Sequence, residues 1–178
     1  MKPLWSLYWS VCQMRRGPED MPHSAGLLAL VLLLDMALGI GIQWLSEPVS
    51  AVAAVGIVLL ALALDALVLW ALVLFKQREL RYVQSLTTIY GVDFMIGLLA
   101  LPLVVVSVAA GDTPWLVALV ALQMLLVGWN LGVRGFVYHR TLDIGIFQAS
   151  MLSLTLFLLH VFLAAKLFPE LLAPAPAH

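Results

Sequence analysis

Two aspartates in this 178-residue sequence, Asp35 and Asp65, each stand in the middle of a long apolar stretch. A carboxylate at the centre of a membrane-crossing helix costs on the order of 2.5–3.5 kcal/mol, so each invites a chemical explanation. Counted at about 1.5 Å per residue, both lie roughly 15–17 Å from the same side. Two carboxyls at one depth on sequential helices can share a proton or coordinate an ion. The plainer alternative makes each a neutral acid that hydrogen-bonds a neighbouring helix and stabilises packing. No intramembrane Lys or Arg is expected to match them.

A second polar group gathers near one membrane boundary. Asp93, Asn130, Arg134, Asp143 and Gln148 are expected at the cytoplasmic mouth, with Asp93 a turn inside the third span. A pair between Arg134 and either Asp93 or Asp143 would clamp spans three to five. Gln123 lies mid-membrane, where an interhelical hydrogen bond is the usual explanation. His139 and His160 fall about 30 Å apart in depth and cannot ligate one metal or haem. The single cysteine, Cys12, belongs to no zinc-like cluster. Neither a metal nor a cofactor is expected, and no nucleophile–base or phosphate-handling constellation marks an enzyme.

The elements that position these groups follow from composition. Hydrophobic residues make up 63% of the chain and charged ones 11%, against about 25% charged in soluble domains. A globule this small cannot hide such a surplus, so the apolar residues face a lipid bilayer. A net charge of −1 gives no footprint for nucleic acid. Five stretches reach the length of about 20 residues that a spanning helix needs. They cover residues 24–45, 50–75, 89–110, 114–138 and 141–168. Ser46-Glu47-Pro48 and Gly111-Asp112-Thr113-Pro114 read as turns that end one helix and open the next. The fold expected is an all-α integral membrane bundle of five transmembrane helices.

Charge sets its orientation. Lys2, Arg15, Arg16, Lys76, Arg78, Arg81, Arg134 and Arg140, eight of nine basic residues, fall on one side of the five-span arrangement. The positive-inside rule then makes the N-terminus cytoplasmic and the C-terminus periplasmic. No cleavable signal peptide is read in residues 1–23, which form a cytoplasmic or interfacial segment. Short interfacial helices are expected near residues 3–14 and 78–88, and residues 169–178 form a flexible Pro/Ala tail. Gly128 and Gly132 have the small-xxx-small spacing of close helix contacts, and Pro102 is expected to kink the third span.

With five spans, a polar N-terminal segment and an amphipathic lead into the third span, the chain resembles the Yip family of small five-span membrane proteins. The similar patches are Arg81-Tyr82-Val83-Gln84-Ser85-Leu86-Thr87-Thr88-Ile89-Tyr90-Gly91, Leu101-Pro102-Leu103 and Trp129-Asn130-Leu131-Gly132-Val133. Arg15-Arg16-Gly17-Pro18-Glu19-Asp20-Met21-Pro22 looks like an N-terminal feature of short bacterial inner-membrane proteins. The resemblance implies a scaffold or interaction role and carries over no catalytic residue. The function expected is therefore that of a non-catalytic accessory, scaffold or assembly subunit in the bacterial inner membrane. Its partners would be other integral membrane proteins or further copies of itself. The alternative is a small proton- or ion-coupled transporter or channel built on Asp35 and Asp65.

Overall fold

A computed structural model describes residues 4–46, 50–110 and 113–169. The expected Pro/Ala tail of residues 169–178, apart from Pro169, and most of the Ser46-Glu47-Pro48 turn lie outside them, as do Gly111 and Asp112. Among the described residues there are six α-helices and no strand. They are α1 (Leu4–Cys12), α2 (Ala25–Ser46), α3 (Ala51–Phe75), α4 (Tyr82–Ala110), α5 (Trp115–Leu142) and α6 (Ile146–Leu167). The last five are long and apolar enough to cross a membrane, as befits an integral membrane protein.

Local chemistry sets the helix ends. The Ser50 hydroxyl accepts a hydrogen bond from the Ala53 amide at 3.2 Å and so caps α3. Helix α5 runs on past the expected boundary at residue 138 and stops at Asp143, which takes a left-handed backbone (φ 56°, ψ 47°). Asp tolerates that conformation better than most residues, and it turns the chain tightly into α6.

The third span differs most from expectation. Residues 82–88 are not a separate interfacial helix but the first two turns of α4; only Glu79–Arg81, a single 3₁₀ turn, precedes it. The reason is local satisfaction of polar groups. Thr87 and Thr88 each donate a hydroxyl hydrogen bond to the carbonyl four residues back, at 2.6 Å. The Ser85 and Thr141 hydroxyls meet at 2.8 Å between α4 and α5. With partners inside the protein, these hydroxyls need no water, so the helix continues through them. Asp93 consequently sits three turns into α4, not one.

Helix α4 is the axis of the bundle and packs against α2 and α5 most extensively, then α3 and α1. Packing is uneven along the membrane normal. The end that carries Arg78, Arg81 and Arg140, called here the basic end, holds most of the core, including Leu69, Val73, Ile89, Tyr90, Val137 and Tyr138. Toward the opposite, far end the helices part, and the buried residues of α5 all lie from Val133 onward. Gly135 allows the closest approach at the basic end. A Cβ there would stand 3.0 Å from the Cα of Ser150 on α6.

Gly128 and Gly132 form no contact between spans. A Cβ at Gly128 would meet nothing within 4 Å, and one at Gly132 would meet the Met14 side chain. The small-xxx-small spacing therefore marks a face left open to lipid and to the N-terminal segment. Pro102 is exposed, and α4 stays helical through it.

Two tyrosines of α4 tie it to α3. Tyr90 donates to the Leu62 carbonyl at 2.8 Å and Tyr82 to that of Ala66 at 3.2 Å. Tyr90→Phe is expected to lower unfolding free energy by about 0.5–1.5 kcal/mol, read as a reduced midpoint in detergent-mediated unfolding.

The N-terminal helix is part of the bundle and is held by more than a lipid surface. Leu7, Tyr8, Val11 and Cys12 are buried against α4 and α5. Trp129 on α5 donates its indole N–H to the Cys12 carbonyl at 2.9 Å, and Trp9 meets the Trp129 ring edge-on. The Tyr8 ring occupies the space above Gly91, where a Cβ would lie 2.0 Å from its Cε1. Helix α1 contains no charged residue, which permits this seating well inside the level of the loops.

Candidate functional site: a buried aspartate–arginine network and its cavity

Arg134 points into the bundle. It lies two turns inside α5, and its guanidinium grips two carboxylates at once. Nη1 and Nη2 donate to the two oxygens of Asp65 on α3, at 3.2 and 2.8 Å. Nε and Nη2 donate to those of Asp93 on α4, at 3.0 and 2.5 Å. Asn130, one turn before Arg134 on the same face of α5, adds a side-chain hydrogen bond to Asp93 at 2.8 Å. The three charged side chains are 16%, 6% and 13% exposed, in the order Arg134, Asp65, Asp93. A planar, permanently charged fork is the side chain suited to such paired recognition.

The expected pair of Arg134 with Asp93 is present, and two other expectations are overturned. An intramembrane Arg does match the aspartates, and Asp65 is held by Arg134 instead of sharing a proton with Asp35. Depth along one helix misled because the bundle, not the span boundary, decides where a long side chain ends. Arg134 has a three-methylene stem long enough to snorkel toward the surface, but two carboxylates hold it inward.

Asp143 does not join the network. It pairs with Arg78 at 2.9 Å at the exposed basic end, where such a bridge contributes less than about 1 kcal/mol. Nearby, Arg140 pairs with Glu19 and Arg81 donates to the Arg140 carbonyl. Gln148 is likewise elsewhere: its side-chain oxygen accepts from the Gly145 amide and caps α6. Gln123 donates to the Ser107 hydroxyl at 3.1 Å and bridges α5 to α4 near the far end.

Asp35 is the exception among the carboxylates. It makes no hydrogen bond or ion pair with any described residue, yet it lines a cavity of about 330 Å³ together with Asp65, Asp93, Asn130 and Arg134. All five spanning helices contribute to that cavity. Its other polar members are Gln43 on α2 and His160 on α6, whose buried Nδ1 has no hydrogen-bond partner. From the network the cavity extends to Gln43 and Ile57, within one or two turns of the far ends of α2 and α3. Toward the basic end the side chains of Tyr90 and Tyr138 are fully buried.

No family model, curated protein or solved structure matches this chain.

Two residues of the site escape a reading by type alone. Gln43 draws no notice in a stretch next to a turn, and His160 is set aside once paired metal ligation by the two histidines fails. A periodic signal is nevertheless present. Asp35, Gly39 and Gln43 stand at four-residue steps, which places all three on one face of α2, and all three line the cavity. Asn130 and Arg134 repeat the spacing on α5.

The arrangement has a clear charge balance. Three carboxylates face one guanidinium, and one carboxylate remains unpaired in a mostly apolar cavity. A proton or a cation would offset that unpaired charge, whereas an anion would add to the excess.

Proposed function

We propose that this membrane protein takes up a proton or a small cationic species into the five-helix cavity and moves it across the bilayer. Asp35 is the acceptor, and the Asp65–Arg134–Asp93 network is its fixed counterpart. The observation that carries this reading is the unpaired Asp35 carboxylate in a cavity lined by every span. By the positive-inside rule the basic end is cytoplasmic, in a bacterial inner membrane, so the cavity reaches toward the periplasm. An acceptor reachable from one side and closed on the other is one half of an alternating-access cycle.

The test is proton entry into proteoliposomes that enclose a pH-sensitive dye, driven by an acid step outside. Asp35→Asn is expected to reduce entry to the level of empty liposomes. Asn keeps the shape and hydrogen-bonding capacity, so assembly should survive. Unchanged flux in Asp35→Asn and Asp65→Asn proteins that still assemble would end the transport reading.

A second reading, that of an accessory or scaffold subunit, is favoured by the densely packed basic end. A rigid Arg134 clamp joining α3, α4 and α5 suits a docking platform equally well. A stoichiometric membrane partner recovered by gentle purification from native membranes would support it. The resemblance to the Yip family implies such a role and supplies no site residue.

A further inference from the structure

The cavity has a second limb. Between α4 and α5 lies another space of about 330 Å³, which shares Asp93, Asn130, Leu131 and Phe157 with the lining of the first. Its walls beyond those residues are apolar, formed by Ile96, Ala100 and Val104 on one side and Leu126 and Val127 on the other. Gln123, bonded to Ser107, stands at its far end. From Asp93 to Val104 the limb follows α4 for about 16 Å, at 1.5 Å per residue.

We infer that these two adjoining spaces together take a single-chain amphiphile with a cationic head, its ammonium beside Asp35 and its chain in the α4–α5 limb. The inference rests on the preceding reading of Asp35 as the acceptor and names the class of solute it accepts.

Three features define that class. The head must be positive, because Asp35 has no partner and the neighbouring network already holds two carboxylates to one guanidinium. The head must donate hydrogen bonds. The His160 Nδ1 is buried without a partner among the described residues and accepts when the ring proton is on Nε2, and Asn130 donates one amide N–H to Asp93 while its oxygen can accept. An ammonium brings three donors to those acceptors. The remainder must be apolar and narrow, since the limb offers no charged group beyond Asp93. A bare inorganic cation fits poorly, for it needs several convergent ligands, and among the described residues no group of three or more His, Cys, Asp or Glu could hold a metal ion.

The experiment is calorimetric titration of the full chain in phosphatidylcholine nanodiscs, with empty nanodiscs as the blank. The probes share one chain length: decylammonium, decanol and decanoate. Saturable decylammonium binding, weakened by about tenfold or more in Asp35→Asn, is expected, because a buried charge partner is lost. Ala100→Phe and Val127→Phe narrow the limb from opposite walls, and at least one folded variant should weaken binding similarly. Equal binding of decanoate or decanol would overturn the cationic class, as would decylammonium binding indifferent to Asp35. If decylammonium fails to bind while Asp35-dependent proton entry persists, the solute class is wrong and the transport reading stands. If both are absent, both fall.

Discussion

Replacing Arg134 with Leu is expected to lower the stability of the protein by about 3–5 kcal/mol, enough to leave little folded material in the membrane. The large effect comes from what remains. Asp65 and Asp93 would face each other across α3 and α4 with four hydrogen bonds gone and no positive charge between them. Arg134→Lys should fall between, because an ammonium keeps the charge but cannot present parallel donors to two carboxylates. The triple variant Asp65→Asn, Asp93→Asn, Arg134→Gln should be closer to wild type than Arg134→Leu, since it removes both carboxylates of the network together with their guanidinium. Unfolding midpoints in a detergent series measure all three. A wild-type midpoint for Arg134→Leu would show that the three spans are not joined in this way.

Gly91→Ala is expected to release α1 from the bundle. The added methyl would coincide with the Tyr8 ring, which would have to leave, and the bonds from Trp129 to Cys12 and from Tyr8 to Thr87 would go with it. Cys12 reports the change because it is the only cysteine and is fully buried. Burial pushes its thiol up to about 11, with the charge of Asp93 adding to the effect. Only the thiolate reacts with a maleimide, so a raised pKa means slow labelling of the wild type at pH 8, quickening as pH climbs toward about 11. Once α1 is released, the thiol returns toward the ordinary value of about 8.5, and labelling at pH 8 should rise by about 100-fold. Labelling that matches the wild type at every pH would mean that Tyr8 does not occupy the space above Gly91.

Much of the architecture is legible in the chain itself. Apolar stretches of spanning length, broken by Ser-Glu-Pro and Gly-Asp-Thr-Pro, fix the number of helices, because a backbone in lipid must satisfy its hydrogen bonds within each helix. The helix ends were harder to read where polar residues found partners inside the protein. Ser85, Thr87 and Thr88 look like an exit to water, yet their hydroxyls bond to Thr141 and to nearby carbonyls, and α4 runs straight through them. Arg134 misled for the same reason: type and position suggest a boundary charge, and only the convergence of α3, α4 and α5 draws it inward. Gly128 and Gly132 match a packing pattern but face outward, whereas Gly135, outside that pair, meets the backbone of α6.

Taken by itself, then, the sequence determined which residues enter the membrane, in how many helices, and that Asp35 and Asp65 do so without the shelter of water. Tertiary structure alone decided how those charges are matched. Hydropathy is a property of single segments, but pairing depends on the rotation of each helix about its axis, and a segment apolar on every face leaves that rotation open. The packing around α4 settles it: Asp65 and Asp93 turn toward Arg134, and Asp35 is left facing a cavity without a partner.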